Sequence, residues 1–331
     1  LKTGYQPKIT WVLGVFREAY KRCRPFGSNV GLWKGVRIAA VVVVVSASGY
    51  YLTRNILRGY SEVRATSVQI NGMALLISTV ITASCTLLGG WEWKLLLEAL
   101  GYEGISIRKA VKIHVMANIV KYAPGYAWQI LGKAYLARKE NIPQEYVVPS
   151  IGAEFALIII SGGLLALLML PGALFVQQLS FSALAAQGLA ISVVVLFFLL
   201  FPWVIRAVMH YIEKHNLWRL SYAVDSRKLA WVLLAMLLTW ALMGVGFCFL
   251  IAGVYSLRLS DIPTYVFSLA VSLAMGLLVV FVPNGIGVRE GILATLLSSS
   301  MPLAMASIIA ILARLILMLA ETISFFIVWR L

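Results

Sequence analysis

The stretch Phe281–Gly291, FVPNGIGVREG, decides how this chain folds. A long apolar run precedes it and another follows. Within it lie a proline, three glycines, an arginine and a glutamate. Proline removes a helix hydrogen bond and clashes with the preceding turn, and glycine admits dihedrals closed to other residues. Backbone that is not helical survives at membrane depth only where protein or a wet cavity covers it. The stretch therefore predicts a broken helix beside a polar interior.

The surroundings are those of a membrane. The chain has 331 residues, 61% of them hydrophobic and 12% charged, with a mean hydropathy of +0.90. Soluble domains average roughly 45–50% apolar and about 25% charged residues. An all-α polytopic membrane protein is expected. The net charge of +15 reads as cytoplasmic loops rich in Lys and Arg, facing anionic lipid headgroups. No long soluble basic segment is present to grip a nucleic acid. About 33 polar and basic residues ahead of the first apolar run argue against a cleavable signal peptide. Cys23, Cys85 and Cys248 form no pair or metal spacing, and His114, His210 and His215 are scattered. No cofactor or metal site is expected.

Residues 8–22 place Ile9, Val12, Leu13, Phe16 and Ala19 at helical spacing, opposite Lys8, Arg17, Glu18 and Lys21. That pattern predicts an interfacial helix within an N-terminal segment, 1–33. Apolar runs follow at 34–53, 71–97, 147–170, 184–209, 229–256 and 303–329. Two further segments are interrupted, 108–139 at Tyr122-Ala123-Pro124-Gly125 and 264–299 at Pro283-Asn284-Gly285. Their halves, about 13–19 residues long, reach about 20–28 Å, and the shorter ones fall short of a ~30 Å hydrocarbon core.

Loop charge chooses between kinked spans and re-entrant hairpins. Residues 1–37 carry eight Lys or Arg, loop 206–228 carries five, and loop 171–183 carries none. With hairpins, the basic loop and both termini fall in the cytoplasm and the uncharged loop falls outside. Loop 54–70, with Arg54, Arg58 and Arg64, is the exception. The expected architecture is an inverted repeat, each half having three spanning helices and one re-entrant hairpin. The first membrane repeat is 34–170 with hairpin 108–139, and the second is 171–331 with hairpin 264–299. Such repeats bring broken helices together near the midplane of transporters.

Both breaks are followed by a helix start, where backbone N–H groups lack partners and the dipole is positive. Opposed starts can form one anion site. Lys121, Tyr122, Pro124, Gly125 and Lys133 from the first break would bind substrate, with Asn284, Gly285, Gly287 and Arg289 from the second and Arg314 from the last span. Glu154, Glu290 and Glu321 are candidates for proton coupling or ion pairing, since intramembrane ions face a cavity or each other. The competing reading pairs Arg289 with Glu290 or Glu321. Glu92 and Lys94, within WEWK, read as an interface belt with Trp91 and Trp93, and His114 reads as structural.

KYAPGYAWQILGKAYLAR (121–138) and VPNGIGVREGILATLL (282–297) resemble two stretches of the flippase-like membrane domain of lysylphosphatidylglycerol synthases. The span pattern extends that resemblance over roughly 34–330. It implies movement of lipids with charged or glycosylated headgroups between leaflets. It also implies roles for Lys121, Pro124, Gly125, Gly285, Gly287, Arg289 and Glu290. Where the family often has an arginine, this chain has Lys133. No aminoacyl-transferring domain follows, so a synthase is not expected. The expected function is a non-enzymatic lipid translocase of the cell membrane. Its partner is a lipid with an anionic headgroup, either a phospholipid or a polyprenyl-phosphate-linked sugar. The alternatives are a membrane transferase acting on polyprenyl phosphate and a non-transporting biosynthetic partner.

Overall fold

A computed structural model describes residues 30–60, 70–121, 127–175, 191–192, 196, 203, 224–279 and 285–330. The interfacial helix expected at 8–22, most of the span expected at 184–209, and Tyr122, Pro124, Gly125 and Asn284 lie outside the described residues. Among those described there is no strand. The helices are α1 (Val30–Arg58), α2 (Gly72–Ala99), α3 (Ile107–Val120), α4 (Ala127–Lys139) and α5 (Gln144–Phe175), then α6 (Ser226–Ala252), α7 (Ile262–Leu278), α8 (Val288–Leu297) and α9 (Leu303–Trp329). A 3₁₀ turn, Leu259–Asp261, leads into α7.

Among the described residues, five helices are long and apolar enough to cross a bilayer: α2, α5 over Gln144–Leu170, α6, Leu259–Leu278 and α9. The chain is an integral membrane protein. Among the broken segments, α3 has 14 residues, α4 has 13 and α8 has 10, so each is about 15–21 Å long at ~1.5 Å per residue. The first arm of the second broken segment, α7, has 17 residues, and with its 3₁₀ turn the run reaches 20 residues, about 30 Å at ~1.5 Å per residue, enough to cross.

Helix α2 lies along α6, and the two are antiparallel. The N-cap of each donates its backbone N–H to the far end of the other. Asn71 N–H bonds the Gly253 carbonyl at 2.9 Å, and Asp225 N–H bonds the Ala99 carbonyl at 3.0 Å. Each cap side chain also serves its own helix, Asn71 accepting from Ala74 N–H and Asp225 from Arg227 and Lys228 N–H, as N-caps do. The arms α3 and α4 pack together, as do α7 and α8.

Each broken pair has its own apolar core. Trp93, Leu97, Ile113, Leu136, Val147 and Ile151 join α3 and α4 to the span before and the span after. Leu250, Tyr265, Leu293, Leu297, Met305 and Ile309 do the same for α7 and α8. Between the first half of the chain and the second, α5 packs on α7, α3 on α9, α5 on α6 and α2 on α9.

Gly285 closes the second break. Its φ is +61°, and a Cβ there would lie 2.8 Å from the Gly276 Cα. The end of α7 and the approach to α8 thus meet backbone to backbone. Gly285→Ala is expected to lower stability by at least the ~1–2 kcal/mol of a left-handed non-glycine residue. A reduced midpoint in thermal unfolding of the detergent-solubilised protein would check this.

Candidate functional site

Residues one turn apart place polar groups on the inner face of each helix. His114, Asn118 and Lys121 run along α3 to its C-cap, while Gln129 and Lys133 lie on α4. Glu154 is on α5, Thr239 on α6, Arg289 on α8 and Glu321 on α9. With Glu92 of α2 they line one cavity of about 250 Å³. Trp240, Met243, Leu273 and Leu317 contribute apolar walls.

Beside the first broken segment, buried Lys133 donates to both oxygens of Glu154, at 2.8 and 2.5 Å. Its ammonium also sits 4.5 Å from the centre of the Trp93 ring, a cation–π position. Trp93 is fixed in turn by donation of its indole N–H to Ser150 Oγ at 2.9 Å. His114 Nδ1 lies 3.2 Å from Lys133 Nζ and 3.3 Å from Glu154 Oε1. Its Nε2 lies 3.0 Å from the Asn118 amide, whose oxygen accepts from Gln129 at 2.7 Å. His114 reaches this position because Gly89 of α2 leaves room. A Cβ there would stand 2.8 Å from Nε2.

Beside the second broken segment, Glu290 Oε1 lies 3.5 Å from Arg314 Nη1. Its Oε2 accepts the Gly287 N–H at 2.6 Å, and Gly287 has a φ of 88°. The start of α8, expected to offer donors to a ligand, thus already serves its own glutamate. Lys121 of the first broken segment pairs with Glu321 of α9. The Arg289 side chain packs over Gly276 and lines both the main cavity and a smaller one of about 50 Å³ beside Arg314.

The two arm-to-span ion pairs are alike in placement and opposite in sign. After the first break the cation is on the short arm (Lys133 of α4) and the anion on the following span (Glu154 of α5). After the second break the anion is on the arm (Glu290 of α8) and the cation on the span (Arg314 of α9).

A sequence profile of the lysylphosphatidylglycerol synthase TM region matches residues 35–324. The chain belongs to this family. Comparison with curated proteins finds no match. The family match covers both broken segments and every element of the cavity, so the site described here is built within the lysylphosphatidylglycerol synthase TM region itself.

Of the residues expected at the site, Lys121, Lys133, Glu154, Arg289 and Glu321 meet at the main cavity, while Glu290 and Arg314 line the smaller one. Gly285 and Gly287 shape the approach to α8. Glu290 has Arg314 within ion-pair distance and Glu321 pairs with Lys121. Two cavity residues were read otherwise from sequence. Glu92, assigned to an interface belt, is buried and bonds Thr239, and His114, assigned to structure, touches both members of the Lys133–Glu154 pair. Of the belt, Trp93 is also buried, Trp91 is 37% exposed, and Lys94 pairs with Glu98 one turn on. Among the described residues, no group of three His, Cys, Asp or Glu side chains is placed to hold a metal ion.

Proposed function

We propose that this protein is a lipid translocase that passes an anionic headgroup between leaflets through the cavity between its two broken segments. The observation that carries this reading is a cavity wall with three buried or half-buried cations, Lys121, Lys133 and Arg289, inside a helix bundle that crosses the bilayer. Ions at such depth are costly, and those that face a cavity mark substrate or ion pathways. The volume, about 250 Å³, lies below the ~300–1,000 Å³ of whole small-molecule sites. It suits a phosphate and a small attached group, with acyl or prenyl tails left in the bilayer. Phospholipids and polyprenyl-phosphate-linked sugars both present that phosphate.

The fold supports the inverted-repeat part of the proposal. The antiparallel α2 and α6 exchange equivalent N-cap bonds at both ends. The packing of α5 on α7 has its counterpart in α3 on α9, and each broken pair folds back on itself within its own core. These are the relations a two-fold axis in the membrane plane requires. In this proposal both broken segments are re-entrant, and rocking of one repeat against the other exposes the cavity to alternate leaflets. Both termini are cytoplasmic and the host is the cell membrane. The task is transport without bond making.

Arg289 stands at the boundary of the two cavities, and its planar guanidinium suits bidentate contact with phosphate. Arg289→Ala is expected to abolish movement of a fluorescent anionic phospholipid across reconstituted liposomes while leaving helix content unchanged. Unchanged flipping would refute the role given to Arg289.

A further inference from the structure

Each buried carboxylate around the two cavities has a cation within ion-pair distance, save one. Glu154 has Lys133, Glu321 has Lys121 and Glu290 has Arg314. Glu92 is only 6% exposed and lines the main cavity. Its partner among the described residues is neutral, the Thr239 hydroxyl at 2.5 Å. A carboxylate buried without a cation is expensive, and such a group takes up a proton instead. A hydroxyl suits both states, because it donates to a carboxylate and accepts from a carboxylic acid.

The neighbouring charges fix what that proton does to the cavity. On its own helix Glu92 has Cys85 as a titratable neighbour at the cavity. Facing it are His114 and Lys121 of α3, Lys133 of α4, Glu154 of α5, Arg289 of α8 and Glu321 of α9, while α6 presents Thr239. With His114 neutral and Glu92 ionised, the wall carries three cations and three anions and has no net charge. With Glu92 protonated it carries one net positive charge.

Resting on the headgroup reading above, we propose that Glu92 is a proton-binding site coupled to the substrate: the cavity accepts an anionic phosphodiester headgroup together with one proton on the Glu92 carboxyl. The proton neutralises the one acid that has no counter-ion, and the phosphate is received by the charge this uncovers. One anion and one proton then move together as an electroneutral pair. Release on the far side follows when the proton leaves Glu92 for water there and the wall regains its balance.

The test is titration calorimetry of the full chain in detergent with dihexanoyl phosphatidylglycerol. Paired buffers of different ionisation enthalpy count the protons exchanged. For the wild type, about one proton should be taken up per lipid at a pH where Glu92 is ionised, with affinity falling toward about tenfold per pH unit. Glu92→Gln, which keeps the size and the Thr239 contact, should bind with no proton uptake and the same affinity across pH. Glu92→Asp should restore the pH dependence. Thr239→Val, which removes the donor that favours the carboxylate, should move the midpoint to higher pH. Proton uptake unchanged in Glu92→Gln would overturn the coupling alone. Absence of lipid binding by the wild type at every pH would overturn the headgroup site itself.

Discussion

Lys133→Ala is expected to destabilise the protein by about 3–5 kcal/mol, the cost of leaving one member of a buried ion pair uncompensated. Glu154 is nine-tenths buried, and its charge is met by the Lys133 ammonium on both oxygens. Without it, His114 is the one titratable group left at bonding distance. The loss should therefore be steeper at high pH, where imidazole is neutral, than at low pH, where it is charged. Adding Glu154→Gln should recover most of the stability, because it removes the orphaned charge. Denaturant unfolding of the solubilised protein, followed by tryptophan fluorescence, measures both variants. A Lys133→Ala protein as stable as the wild type would mean that the pair contributes nothing to holding α4 on α5.

The second large effect concerns Lys121 and Glu321, the bridge between the repeats. Lys121→Glu alone sets two carboxylates together in a poorly hydrated site and should prevent stable assembly or cost several kcal/mol. The exchange Lys121→Glu with Glu321→Lys restores one cation and one anion and should return most of the thermal stability. Translocation separates the two roles of the bridge. If Lys121 serves only as Glu321's partner, the exchanged protein flips lipid normally. If Lys121 receives the headgroup, the exchanged protein folds and stays inactive, since the cation then sits on α9 and the tip of α3 carries an acid. Inactivity with recovered stability is the expected result, measured in liposomes beside Arg289→Ala.

The sequence revealed the helices more readily than the charge partners. The last span was expected at 303–329 and α9 runs Leu303–Trp329, because hydropathy and length are local properties. The breaks were legible because Pro124 and the Pro283–Gly287 run interrupt apolar segments. Lys121 and Glu321 are 200 positions apart, and no local pattern announces their meeting. Glu92 was obscured by its setting. Tryptophans on both sides resemble an interface belt, yet consecutive residues on a helix point about 100° apart. Trp91 can therefore face outward while Glu92 and Trp93 turn inward. His114 looked like one structural histidine because the space that admits it is made by Gly89 on another helix.

The hydroxyls of α2 have a mechanical consequence. Thr79, Thr82 and Thr86 each donate to the carbonyl one turn back on their own helix, and Ser307 and Ser324 of α9 do likewise. Their donors are satisfied internally, so the faces meeting at the centre of the molecule are small and slightly polar, with few ties across. The side-chain ties found there are Thr239 to Glu92, Cys85 to the Thr239 carbonyl and Ser324 to the Ala83 carbonyl. Resistance to sliding of one half over the other would therefore come from bonds away from these faces, the Lys121–Glu321 pair, the Trp240 indole N–H to Ser161 and the cap bonds at Asn71 and Asp225, and a substitution that knits the central faces together should slow turnover without touching affinity.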